Sequence, residues 1–180
     1  MTAIGAVDIG GTKLAVGIVD ENGRVLSRME SPSRKAEGYH DGLELITKML
    51  GQMSRDAGLI LEGIGIGSTG PVDPMTGCFG DLDFLPRWKG ANICGDLQRH
   101  FHVPVALEND ADAAALAEAG WGAGRNKSRL IYVTIGTGIG GGIINTSGPH
   151  CSCGFEGCWD SLAAGPAMVR WMESQPECRH

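Results

Sequence analysis

The strongest constraint on the fold is a pattern that occurs twice. "AVDIGGTKLAVGIV" at 6–19 and "LIYVTIGTGIGGGIIN" at 130–145 each place a glycine turn between two short, β-branched apolar runs. Runs of this kind predict strands, and a short Gly-containing connection predicts a hairpin. A second turn, Glu21-Asn22-Gly23, precedes a third predicted strand over 24–28, so the chain should open as an antiparallel meander. A Walker loop or a dinucleotide fingerprint instead opens a helix, whose N-terminus helps to hold the phosphate. The hairpin reading rejects both, although residues 136–141 formally match GxGxxG. Singly, each stretch reads equally well as an ordinary turn. As a pair they predict two related lobes facing each other across a cleft, each offering a backbone-rich anion cradle to a nucleotide's phosphate chain.

The residues in these turns suit that role. Gly10 and Gly11, and likewise Gly136, Gly138 and Gly140, let main-chain N–H groups approach an anion with no Cβ in the way. Thr12 and Thr137 add hydroxyl donors, and Lys13 adds a positive charge. Asp8, at the end of the first strand, is placed to hold Mg²⁺ through water.

Between the two units, near-helical spacing of Leu43, Leu45, Ile46, Met49, Leu50 and Met53 predicts a helix over 41–56. A glycine-rich strand follows at 63–67, then Gly70-Pro71 and a loop-like stretch over 73–92. A helix is expected over 93–102 and a strand over 103–107, which Pro104 puts at a sheet edge or at its own start. The alanine-rich run after Asn109-Asp110 predicts another helix, ending near Gly120 or Gly122. Asn109 and Asp110 thus sit at a strand-to-helix junction, where they read either as a plain cap or as chemistry. Phosphoryl transfer to an alcohol needs a carboxylate near the attacking hydroxyl, and Asp110 fits that general base; Asn109 would bind a neighbouring sugar hydroxyl. Residues 67–71, with Gly70 and Pro71, would form another wall, and Trp88 is either core or a platform for a sugar ring.

Among 180 residues, 42% are hydrophobic and 20% charged, and 29 are glycine. That is enough chain for one complete domain plus part of another; the expected division is 1–122 and 123–180. A net charge of −6 without a Lys/Arg cluster argues against nucleic acid or an acidic membrane as partner. The sequence carries no predicted signal peptide or spanning segment, and a cytoplasmic location is expected. Three of the six cysteines, Cys151, Cys153 and Cys158, crowd into one turn, a CxC-x4-C spacing that suits a closed structural zinc site rather than a disulfide framework. His150, Cys178 and His180 remain open as the fourth ligand.

Taken in order, "DIGGTK" at 8–13, "GSTGPVD" at 67–73, "LPRWKG" at 85–90, "ENDADAAALAE" at 108–118, "GTGIGGG" at 136–142 and "CSCGFEGC" at 151–158 resemble the ROK family (repressors, unknown reading frames and sugar kinases). The resemblance implies an α/β fold of the actin-like ATPase, ribonuclease H-like type, with the first lobe nearly complete and the second partial. It implies phosphorylation by ATP of a hexose or N-acetylhexosamine, with Asp110 as base. Sugar contacts would come from Gly70, Pro71, Asn109, Asp110 and Asp160, and phosphate contacts from Asp8–Lys13 and Gly136–Gly141. Cys151, Cys153 and Cys158 would bind zinc. Family repressors carry an N-terminal helix-turn-helix, for which no room is expected before Asp8. Relatives are often dimers, which admits a homodimer. Glucose, N-acetylglucosamine, N-acetylmannosamine and fructose all fit the class. The chain departs from the pattern in three ways. The Glu–x–Gly–His element before the cysteines is missing, Asp160 stands where a glutamate is usual, and the sequence ends at His180 before the helices that usually complete the second lobe. Two rival readings follow: a non-catalytic sugar-binding relative and a zinc-stabilised interaction fragment.

Overall fold

The computed structural model describes residues 3–33, 38–135 and 139–145. The chain divides into two compact units, Met1–Asp110 and Ala111–His180. The first is built on a five-stranded sheet whose strands lie in the order Val25–Pro32, Lys13–Asp20, Ala3–Ile9, Leu61–Ser68 and Val105–Asn109. β1 (Ala3–Ile9), β2 (Lys13–Asp20) and β3 (Val25–Pro32) form the expected antiparallel meander. The turn into β3 is closed by Asp20, whose Oδ1 accepts from the N–H groups of Asn22 and Arg24 at 2.9 Å each. Helix α1 (Tyr39–Ala57) then carries the chain back to β4 (Leu61–Ser68), which pairs with β1 in parallel. A second crossover, through helix α2 (Ile93–Phe101), delivers β7 (Val105–Asn109) parallel to β4 at the sheet edge.

Strand alternation decides which face carries the core. Ala3, Val7 and Ile9 of β1 share one face with Val16 and Ile18 of β2, Ile64 and Ile66 of β4 and Leu107 of β7, all buried. α1 turns Ile46, Met49, Leu50 and Met53 toward that core at the i, i+3, i+4, i+7 spacing of an amphipathic helix. Its C-terminus closes at Gly58, where φ is 63° and the N–H bonds back to Arg55 O; this left-handed cap favours glycine.

Two departures from the sequence expectation have local causes. The stretch expected to be loop-like over 73–92 completes a small hairpin, β5 (Val72–Asp73) with β6 (Cys78–Phe79), and holds a 3₁₀ turn at Pro86–Trp88. The Asp73 carboxylate closes the hairpin by accepting from the Met75 and Thr76 N–H groups and the Thr76 hydroxyl. Two-residue strands leave no periodicity to read. The last strand runs two residues later than expected because its register is set by β4, with Ser68 opposite Asn109. Pro104 falls just outside the strand and accepts from the Ile64 N–H at 2.9 Å.

Trp88 is core, not a sugar platform. It has no exposed surface, and Tyr39 and Phe79 meet it edge-on at 5.4 and 5.2 Å between ring centroids. The ring lies so close to α1 that a Cβ on Gly42 would come within 2.1 Å of it.

In the second unit, α3 (Asp110–Gly120) presents buried Ala111 and Ala115 on one face. β8 (Arg129–Ile135) and β9 (Ile139–Asn145) pair antiparallel from Arg129↔Asn145 to Ile135↔Ile139. Gly140 and Gly142 of β9 lie against Ala111 and Ala115.

Gly42→Ala provides a direct test of this packing. At an open helix site the change should stabilise by about 1 kcal/mol. Here overpacking against Trp88 should outweigh that gain and leave the protein about 1–3 kcal/mol less stable in urea unfolding.

Candidate active site

Register alone assembles the site. Ile9 of β1 stands opposite Ser68 of β4, and Ser68 opposite Asn109 of β7. Three parallel strands therefore end level with one another, and the residues that follow or flank those ends come together: Asp8 with the glycine loop, Thr69-Gly70-Pro71, and Asn109-Asp110. Ligand sites in α/β sheets form at such carboxyl ends. Adjacent strands are about 4.8 Å apart, so the row Asp8, Gly67, Glu108 spans roughly 10 Å.

The loop between β1 and β2 is a tight turn closed by Gly10 N–H donating to Lys13 O at 3.0 Å. Ser33 ties it down from the end of β3. Its N–H donates to Thr12 O at 3.0 Å and its hydroxyl to Gly10 O at 2.7 Å. These bonds hold the turn in one arrangement. Lys13 does not reach over the loop. Its ammonium pairs with Glu30 at 3.0 Å, and Arg28 pairs with the same carboxylate at 2.5 Å. The hydrogen bond from Lys13 is the largest cause of the lowered Glu30 pKa.

Behind the loop, buried Ser68 hydrogen-bonds to Thr69 O at 3.1 Å, and Thr69 N–H donates to Ile9 O at 3.1 Å. The next residues form the wall. Gly70 and Pro71 are joined by a cis peptide bond, and Gly70 lies against the Asn109 side chain, so that an added Cβ would sit 3.0 Å from its Nδ2. Gly80 N–H donates to Pro71 O at 2.8 Å and fixes the wall to the following loop.

Asp8 keeps solvent contact, yet the surrounding chain strips part of its hydration, and this burial raises its pKa above the ordinary carboxylate value of 3.8. The negative charge of Asp110 is the second cause in the same direction, while Lys13 and Arg28 oppose both. The charge of Asp110 is thus felt at Asp8. Asp110 itself is the exposed first residue of α3, directly after Asn109 ends β7.

Of the remaining candidates, Gly140 lies in β9, with Thr134 and Ala111 beside it. Gly136, Thr137, Gly138, Cys151, Cys153, Cys158 and Asp160 lie outside the described residues. Two participants had no signal in the sequence. Ser33, which anchors the loop, lies in a polar connection. Phe84, whose ring rests on Gly11, looks like one more apolar residue beside Leu82 and Leu85.

The ROK family description matches residues 4–148 and 144–179. The chain belongs to the ROK family. A glucokinase of Thermotoga maritima is 30% identical over 187 residues, which cover 92% of this chain and 58% of that protein. The crystal structure of a ROK hexokinase from Thermus thermophilus aligns at 35% identity and a TM-score of 0.71, over 94% of this chain and 62% of its own. A ROK family glucokinase from Streptomyces griseus, solved in complex with glucose and AMPPNP, aligns at 31% identity and a TM-score of 0.64, over 98% of this chain and 62% of its own. The fold is accordingly the actin-like ATPase, ribonuclease H-like α/β type, and the chain spans about three-fifths of the length of these ROK relatives. A xylose repressor of Bacillus subtilis is also among the matches.

The raised Asp8 pKa carries a stability consequence. A carboxyl that is harder to ionise in the folded state than in the unfolded one contributes fully below the unfolded value of 3.8, and that contribution is lost as pH rises through the folded value. Asp8→Asn removes the charge, so its gain in Tm over wild type should be larger at pH 7 than at pH 4. Thermal unfolding at the two pH values measures the difference.

Proposed function

We propose that this ROK chain carries the site of an ATP-dependent sugar kinase acting on a hexose or N-acetylhexosamine, with glucose the first candidate. One observation carries the reading: the level endings of β1, β4 and β7 bring Asp8, Gly70-Pro71, Asn109 and Asp110 into one place, and Asp8 feels the charge of Asp110. Asp110 accepts the proton of the attacking hydroxyl, which raises the nucleophilicity of that oxygen as it approaches phosphorus. Asn109 and the Gly70-Pro71 wall hold the sugar beside it. The Gly10–Thr12 loop receives phosphate, and Gly136, Thr137, Gly138 and Gly140 are proposed as further phosphate contacts. The likeness to glucokinases, one of them holding glucose and AMPPNP, supports both substrates.

Burial and the charge of Asp110 raise the pKa of Asp8, a carboxylate that suits a divalent cation, so Asp8 is the residue to hold Mg²⁺ near the phosphates, through water. When bound, Mg²⁺ neutralises phosphate charge. Cys151, Cys153 and Cys158 are proposed as structural zinc ligands and Asp160 as a sugar contact, and a homodimer in the cytoplasm completes the reading. The sequence division into 1–122 and 123–180 is kept as the proposed lobe boundary, with α3 then belonging to the first lobe. Among the described residues no helix is long and apolar enough to cross a membrane.

A second reading is a sugar-binding relative without turnover, supported by the likeness to a repressor. ADP release with a panel of hexoses separates the two. The kinase reading expects sugar-dependent release that falls about 100-fold or more in Asp110→Asn. A sugar-dependent rise in Tm with no ADP release would replace it with the binding reading.

A further inference from the structure

Phe84 has no part in the chemistry above, and its placement calls for an explanation. Its neighbours Leu82 and Leu85 are buried, at 0% and 3% exposure, whereas Phe84 is 59% exposed. The loop is therefore anchored on both sides of a residue that the core does not hold. The ring rests on Gly11 at the tip of the phosphate loop, where an added Cβ would meet ring carbons at 2.8 to 3.1 Å. The other end of the same segment is fastened to the sugar wall. Gly80 donates to Pro71 O at 2.8 Å, and its Cα faces the Pro71 ring so closely that a Cβ would come within 2.8 Å of Cγ. Pro71 follows Gly70, which touches the Asn109 amide. The chain from Gly70 to Phe84 thus links Asn109 to Gly11: Gly70 lies beside the Asn109 amide, Gly80 is bound to Pro71, and residues 80–84 lead to the ring that rests on Gly11. At both Gly11 and Gly80 an added Cβ would force a displacement, so both contacts are close.

We propose that Phe84 is a positioning residue that couples the sugar wall to the phosphate loop, so that sugar and nucleotide each tighten the binding of the other. The identity of the two ligands rests on the proposed function; the link from Asn109 to Gly11 does not. A sugar that orders Gly70-Pro71 restrains the 80–85 segment, and Phe84 then holds Gly10–Thr12 in one arrangement, which lowers the ordering cost of binding phosphate. Linkage makes the effect reciprocal.

The test is isothermal titration with glucose and AMPPNP on wild type, Phe84→Ala and Phe84→Tyr, with hydrogen exchange at residues 10–13. In wild type, saturating glucose should tighten AMPPNP binding about fivefold or more. In Phe84→Ala that ratio should fall to near one while each ligand still binds alone, and the 10–13 amides should exchange faster. Phe84→Tyr should restore both. Two ligands that bind Phe84→Ala with the wild-type ratio, or unchanged exchange at 10–13, overturn the coupling and leave the kinase reading intact. Failure of wild type to bind either ligand overturns the coupling together with the kinase reading.

Discussion

The site depends on the parallel ladder that joins β1, β4 and β7. Hydrogen bonding fixes Ile9 against Ser68 and Ser68 against Asn109, and a slip of one residue in either pairing would turn every side chain of a strand to the opposite face. The apolar core prevents that slip. Val7, Ile9, Ile64, Ile66 and Leu107 must all stay under α1 and α2, and with them in place Asp8 is held on the other face of β1. Burial on one side of the sheet thus sets the position of charged groups at its end.

Glycine serves two purposes in this chain. In the β1–β2 turn it forms a tight bend, closed by Gly10 N–H donating to Lys13 O. At Gly42 and Gly80, and again at Gly11, it makes room for a ring: Trp88, Pro71 and Phe84. These contacts tie the loop over 80–88 to α1, to the wall and to the phosphate loop. A segment that reads as irregular in the sequence is therefore a strut between parts of the site.

Hairpins, helices and the strand-to-helix junction at Asn109-Asp110 were legible because each has a local signature: a glycine turn between β-branched runs, 3.6-residue spacing, or an acid before an alanine run. The motifs quoted from 8–13 to 151–158 also identified the family before any coordinates, and the family match confirms it. What was not legible depended on contacts distant in the chain. The end of β7 moved to Asn109 because Ser68 pairs with it, and Ser33 and Phe84 reach the glycine loop from 23 and 73 residues away, separations that follow from their numbers. Trp88 was ambiguous in sequence because a large aromatic serves either as core or as a platform; its packing against Gly42, Tyr39 and Phe79 decides for core.

The central claim is that the charge of Asp110 acts on Asp8 at the level ends of the parallel strands. Carboxyl-carbon NMR titration of Asp8, in wild type and in Asp110→Asn, measures this directly. The account predicts an Asp8 pKa above the ordinary 3.8 in wild type that moves down when the Asp110 charge is removed. An Asp8 titration that is identical in the two proteins would contradict it.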